Sequence, residues 1–269
     1  MALTLEIAAC KSPPDAPPPP PPLASGAPLS SMSARPLPIT LTATDTFETS
    51  DGALEVIPIH HATVAFRWKN ELIYVDPVTP IENLPRADVI LITHDHPDHT
   101  DETTLAKIRT DKTIVVGPQP VADKTHVDMI MKNGDVKNVS GIGVEAVAMY
   151  NLVRGPTPTT KFHEKGKGNG YVLTFGTGPK AKRVYLSGDT ECTPEVKALK
   201  NIDAAFMCMN LPYTETSDEA ATCALAFAPN VIFPYHFQSK SEGGTQDPQA
   251  FKNAVAKDAA IDVRIRTWY

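Results

Sequence analysis

The chain has 269 residues, 42% apolar and 21% charged, enough for one catalytic domain with a sizeable core once its N-terminal segment is set aside. A formal net charge of −6 without any basic stripe excludes an electrostatic footprint for nucleic acid. No apolar stretch reaches the roughly 20 residues that a membrane-spanning helix requires.

The first 40 residues differ in kind from the rest. Prolines fill positions 17–22 without interruption, inside a proline-rich stretch over 12–38. Such a run forms neither helix nor inner strand, so residues 1–40 are expected to be a disordered tether ahead of a catalytic domain over 41–269. Ile7-Ala8-Ala9-Cys10 resembles a bacterial lipobox, which would put a lipid anchor on Cys10. Yet residues 1–9 have no basic start, and Glu6 interrupts them. Either the start lies upstream and the protein is periplasmic or a membrane-anchored lipoprotein, or the likeness is accidental and the protein is cytoplasmic.

Along the domain, 71–75 reads as a strand ending at Asp76, a carboxylate suited to orienting a metal-bound imidazole from behind. Ahead of it, His61 is expected to face the site as a support or substrate contact, with His60 pointing the opposite way because strand side chains alternate. The apolar run 87–93 reads as a buried strand. It delivers His94-Asp95-His96-Pro97-Asp98-His99, three imidazoles and a carboxylate packed as His-x-His-x-Asp-His. Those are the ligands that zinc and similar borderline cations accept, so a metal site is read here. A short helix should follow over 103–109, with Asp101 and Glu102 in its first turn. The ligands thus lie at the carboxyl end of a strand, where open α/β sheets place theirs.

Two histidines lie between this motif and Asp189. His126 has an ordinary surface context, whereas His163 precedes the strand read over 171–175 and stands where a ligand is expected. Lys165 and Lys167, in the glycine-rich loop beside it, could attract an anionic substrate group. Strand 183–187 runs into Gly188-Asp189, and strand 231–234 delivers His236. Helices are read over 218–227 and 248–257. The class is α/β, with no internal repeat in the sequence. Cys192, Cys208 and Cys223 are odd in number, so no disulfide framework is implied; Cys208 reads as a buried small hydrophobe.

In this order the landmarks resemble the metallo-β-lactamase superfamily, from about residue 55 to the end. They include Ile59-His60-His61-Ala62, Tyr74-Val75-Asp76-Pro77, the motif at 94–99, Phe162-His163, Ser187-Gly188-Asp189-Thr190, Tyr213-Thr214, Pro234-Tyr235-His236 and the closing Arg266-Thr267-Trp268-Tyr269. The branch it is most similar to holds ascorbate-6-phosphate lactonase and, more distantly, N-acylphosphatidylethanolamine-hydrolysing phospholipase D. The resemblance implies a four-layer αβ/βα sandwich with two divalent metal ions, zinc first and manganese second. His94, His96 and His163 would hold one ion, Asp98, His99 and His236 the other, and Asp189 would bridge them. Asp98 and Asp189 then carry the catalytic roles, with Tyr213 as a substrate contact.

The diiron oxidoreductases of that superfamily carry Glu where this chain has His96, which favours hydrolysis. Glu164 stands where relatives tend to have proline, and the stretch 207–212 replaces a glycine-rich one, so the substrate does not carry over. The expectation is a hydrolase that uses a bridging hydroxide on a small ester, lactone or phosphoester. Alternatives are a phosphodiesterase on nucleotides or lipid headgroups, a β-lactam hydrolase, an iron-dependent redox enzyme, or a metal-bound protein without turnover. The partner is a small-molecule substrate, and a homo-oligomer stays open.

Overall fold

The computed structural model describes residues 38–238, 244–256 and 260–269, and among these two seven-stranded sheets form on one plan. The proline tract and Cys10 lie outside the described residues. In the first sheet, β1 (Asp45–Thr49), β2 (Gly52–His60), β3 (Thr63–Trp68) and β4 (Glu71–Val75) pair antiparallel. Then β5 (Val89–Leu91), β6 (Ile114–Gly117) and β7 (Met129–Ile130) add in parallel. The second sheet repeats the scheme. Its antiparallel strands are β8 (Val136–Val139), β9 (Ile142–Met149), β10 (Gly168–Phe175) and β11 (Lys182–Leu186). Its parallel ones are β12 (Ala204–Cys208), β13 (Val231–Tyr235) and β14 (Asp262–Val263). The two halves share a topology that their residues do not advertise.

Period-two alternation decides which side chains go where. Val64, Phe66 and Trp68 on β3 point into the core between the sheets, where Phe66 meets Phe175 and Phe206 at ring distances of 5.8 Å. Ala65, Tyr74 and Ile90 point outward and are covered by Leu105 and Ile108 of α1 (Glu102–Ile108) and by Val121 of α2 (Gln119–Ala122). Behind α3 (Pro194–Lys197), two longer helices pack on the second half, α4 (Ser217–Phe227) through Phe227 and α5 (Pro248–Val255) through Phe251 and Val255. Each such buried side chain is worth about 1.5–3 kcal/mol. The result is the expected four-layer αβ/βα sandwich. None of the described helices is long and apolar enough to cross a membrane.

Helix ends follow from their caps. Asp101 accepts the N–H groups of Thr103 and Thr104, so α1 starts directly after the histidine motif. Thr216 and Glu219 form a reciprocal capping box on α4. The strand read over 87–93 shortens to β5, and beyond its carboxyl end Thr93 N–H turns away to donate to Asp76 Oδ1 at 2.7 Å. One expectation fails. Cys192, in the loop after β11, and Cys223, on α4, form a disulfide with Cα atoms 5.5 Å apart. An odd cysteine count forbids pairing all three but not two, and the fold brings these two together while Cys208 stays buried and free.

Candidate metal centre

The site forms at one edge, where the carboxyl ends of β4, β5, β11 and β13 converge. Asp76 is fully buried, and its carboxylate accepts from Thr93 N–H, Thr93 Oγ1 and His99 Nδ1, each at 2.7 Å. One side chain therefore fixes the start of the motif and orients its last imidazole. With Nδ1–H donating to Asp76, Nε2 of His99 faces inward. Thr93 Oγ1, its own proton committed to Asp76, accepts from His94 Nδ1 at 3.0 Å. His163 donates from Nδ1 to Asn151 Oδ1 at 2.7 Å, and Asn151 is held in turn by Tyr213 O at 2.8 Å. The Asn210 amide lies 3.0 Å from His236 Nδ1 and is anchored by Thr214.

These inward nitrogens crowd around Asp189. Its Oδ1 is 3.4 Å from His99 Nε2 and 3.2 Å from His236 Nε2, and its Oδ2 is 3.6 Å from His163 Nε2. Asp98 Oδ2 lies 3.6 Å from His236 Nε2 and 3.9 Å from His99 Nε2. Metal–nitrogen bonds of about 2.0–2.1 Å in a tetrahedron put neighbouring donors roughly 3.3 Å apart, so the spacing suits a cation. Donor atoms of His94, His96 and His163 lie within 4.8 Å of one another, as do those of His94, His99 and Asp189, and those of His61, Asp98 and His236. Among the described residues, His94 Nε2, His163 Nε2 and Asp189 Oδ1 are buried without a hydrogen-bond partner. Orphaned polar atoms cost free energy unless something satisfies them, and a bound cation does.

Electrostatics point the same way. Burial, helped by neighbouring imidazoles, holds His94 well below the usual histidine range and His163 at about 4, so both present neutral lone pairs at pH 7. Burial would raise the Asp189 carboxyl, but His236 and His99 outweigh it and keep it ionised. Burial would likewise lower His99, yet Asp189 and Asp76 overcome it and hold His99 well above its usual value. Two buried carboxylates thus call for positive charge between them. Gly188 lets the Asp189 turn approach: its φ is +58°, and a Cβ there would come within 2.5 Å of Met149 Sδ and 3.0 Å of Thr93 Cβ.

Two cavities open on the cluster. One, of about 610 Å³, is lined by His61, Val78, Pro80, Asp98, Tyr213 and Tyr269, and His60 also lines it. The expectation that His60 points away from His61 is therefore incorrect. The β2–β3 register shifts between Pro58 and His60, and His61 sits at φ +54°, so simple alternation breaks. The other, of about 410 Å³, is bordered by His94, His96, His163 and Lys167. Lys165 lines neither; its ammonium is 2.6 Å from Glu195 and lies over the Tyr150 ring. His126 is exposed and paired with Asp128 at 2.8 Å, apart from the cluster. Of the stretch 207–212, Met207, Cys208 and Met209 are buried in the core and Asn210 reaches the larger cavity.

Sequence reasoning missed Thr93, Asn151 and Asn210, which hold the imidazoles, and Tyr269, which contacts His61. Thr93 adjoins the motif and Asn210 follows a strand, but nothing in their types announces the partner.

The model of the beta-lactamase superfamily domain matches residues 55–236. A metal-dependent hydrolase of Caldivirga maquilingensis is 26% identical over 217 residues, covering 76% of this chain and 90% of that protein. A solved structure described as a metal-dependent hydrolase from Parabacteroides distasonis is 36% identical, with a TM-score of 0.73, covering 84% of this chain and 99% of that one. A metallo hydrolase from Ignicoccus hospitalis is 18% identical with a TM-score of 0.64, covering 79% of this chain and 94% of that one; this is a likeness of fold.

Proposed function

Because this chain belongs to the beta-lactamase superfamily domain family, we propose that it is a hydrolase that binds two divalent cations and cleaves a small ester, lactone or phosphoester. Zinc is the first choice, by the preponderance of imidazole donors, and manganese the second. His94, His96 and His163 would hold one ion, Asp98, His99 and His236 the other, and Asp189 would reach both. When bound, such a pair acidifies a water to a pKa of about 7 and faces the negative charge that develops on the substrate.

The protein's own residues do the rest. Asp76 and Asn151 keep three imidazole nitrogens aimed inward, by holding the opposite nitrogen of His99 and His163 and, for His94, by holding Thr93, while the Asn210 amide lies 3.0–3.1 Å from both nitrogens of His236. Asp98, half-exposed and lining the larger cavity, would orient the attacking water by accepting its hydrogen. Val78, Pro80 and Tyr213 give the cavity an apolar lining suited to a small organic substrate. The observation that carries this reading is the convergence of seven competent donors, three of whose buried atoms have no hydrogen-bond partner among the described residues.

A panel of a lactone, a phosphodiester and a β-lactam, offered to metal-replete protein, tests it. Turnover should appear on at least one member. Asp189→Ala and His96→Ala should each lower it by more than the roughly 10–100-fold typical of outer hydrogen-bond partners, with loss of metal and an intact fold. Full activity in either variant, with metal still bound, would refute the assignment.

A further inference from the structure

His61, like His236, enters the cluster from a left-handed backbone. Its backbone lies at φ +54°, in the left-handed region, and is stitched on both sides: its N–H donates to Trp268 O at 3.1 Å, and its carbonyl accepts from His236 N–H at 3.3 Å. A β-carbon-bearing residue is strained there, and folds retain such strain where surrounding contacts enforce it. The ring packs against that of His236, with centroids 3.9 Å apart, and reaches the larger cavity. Nε2 lies 3.4 Å from Asp98 Oδ2, and Nδ1 lies 3.1 Å from the hydroxyl of Tyr269.

The Tyr269 hydroxyl decides which nitrogen of His61 carries the proton. Its oxygen accepts from Gln238 N–H at 3.1 Å. With that donor on the oxygen, the hydroxyl proton is free to go to His61 Nδ1. That nitrogen is then the acceptor, and the proton of the neutral ring sits on Nε2. A metal-binding imidazole must present a lone pair to the ion. In this tautomer His61 presents an N–H instead, beside Asp98 and on the cavity lining.

We propose that His61 is a catalytic residue that donates its Nε2–H to the substrate oxygen gaining negative charge, and that Tyr269 is the positioning residue that fixes this tautomer. The proposal rests on the hydrolase reading above. It narrows the substrate class to compounds that place a carbonyl, phosphoryl or leaving oxygen on the His61 side of the larger cavity. His61 stabilises charge by a hydrogen bond and forms no covalent bond. A donor of this kind is worth about 10²–10³ in kcat.

Zinc-loaded protein is assayed on para-nitrophenyl acetate, γ-butyrolactone and bis(para-nitrophenyl) phosphate, with metal content measured alongside. His61→Phe should lower kcat by about 10²–10³ without changing metal content. His61→Gln, whose amide can donate from a similar position, should recover part of the loss. Tyr269→Phe keeps the ring and should lower kcat several-fold while leaving KM and metal content unchanged, and it should add nothing in the His61→Phe background. Nitrogen-15 NMR of the imidazole, assigned by its loss in His61→Gln, should place the proton of the parent on Nε2.

A proton on Nδ1, or loss of metal in His61→Phe, would make His61 a ligand and overturn the proposal. An active parent whose His61 variants keep their kcat would overturn the role of His61 alone. A parent inactive on every probe would defeat the hydrolase reading, and the catalytic role of His61 with it.

Discussion

His163 and His126 are the same residue type, one in each half of the chain, and their surroundings set them apart. His163 is buried, its Nδ1 engaged by Asn151 and its Nε2 aimed at Asp189. His126 is exposed and pairs with Asp128. His163→Ala is therefore expected to remove one of the two proposed metal equivalents, while His126→Ala retains both, as metal analysis of purified protein would read. Equal metal content in the two variants would contradict the assignment. The position of His163 just ahead of a strand was legible from local pattern. Asn151 was not, because its value lies in a contact twelve residues away, across the β9–β10 connection, that no spacing rule encodes. His60 shows the complementary limit: alternation is a sound rule until a register shift, and the shift itself depends on how β2 meets β3.

At the scale of elements, strand ends were easier to read than the loops between them. β4 begins and ends where the pattern places it, and β11 and β13 differ from the pattern by a residue. The disulfide was missed because it joins a loop to a helix through tertiary proximity. Around it, Glu215 is a buried carboxyl that accepts Cys192 N–H at 2.7 Å through Oε1, while Oε2 has no hydrogen-bond partner. Burial, with Glu219 and Glu191 nearby, pushes its pKa up to about 8. The folded state thus binds a proton that the unfolded chain releases near the ordinary value of 4.5. Its stability contribution is fully present below that value and is lost as pH rises towards about 8. Glu215→Gln should flatten the decline in melting temperature over this window. A decline equally steep in the variant would show that Glu215 is not its source.

For the whole molecule, composition and strand–helix alternation indicated an α/β class, and the series of landmarks implied the four-layer arrangement. The equivalence of the two halves was hidden, since topology is conserved by backbone pairing while the side chains of each half serve different neighbours. That architecture explains why the site exists at all. Each sheet delivers its parallel strands to the same edge, so Asp76 and the 94–99 motif from one half meet Asp189 and His236 from the other across a shared core. Neither half contains a complete donor set, and the fold is what assembles one.

The most direct measurement of that claim is anomalous diffraction from crystals grown with zinc. The account predicts two peaks inside the cluster, one against His94, His96 and His163 and the other against Asp98, His99 and His236, with Asp189 touching both. No peak at this edge, or His163 Nε2 more than roughly 2.5 Å from any ion, would contradict it.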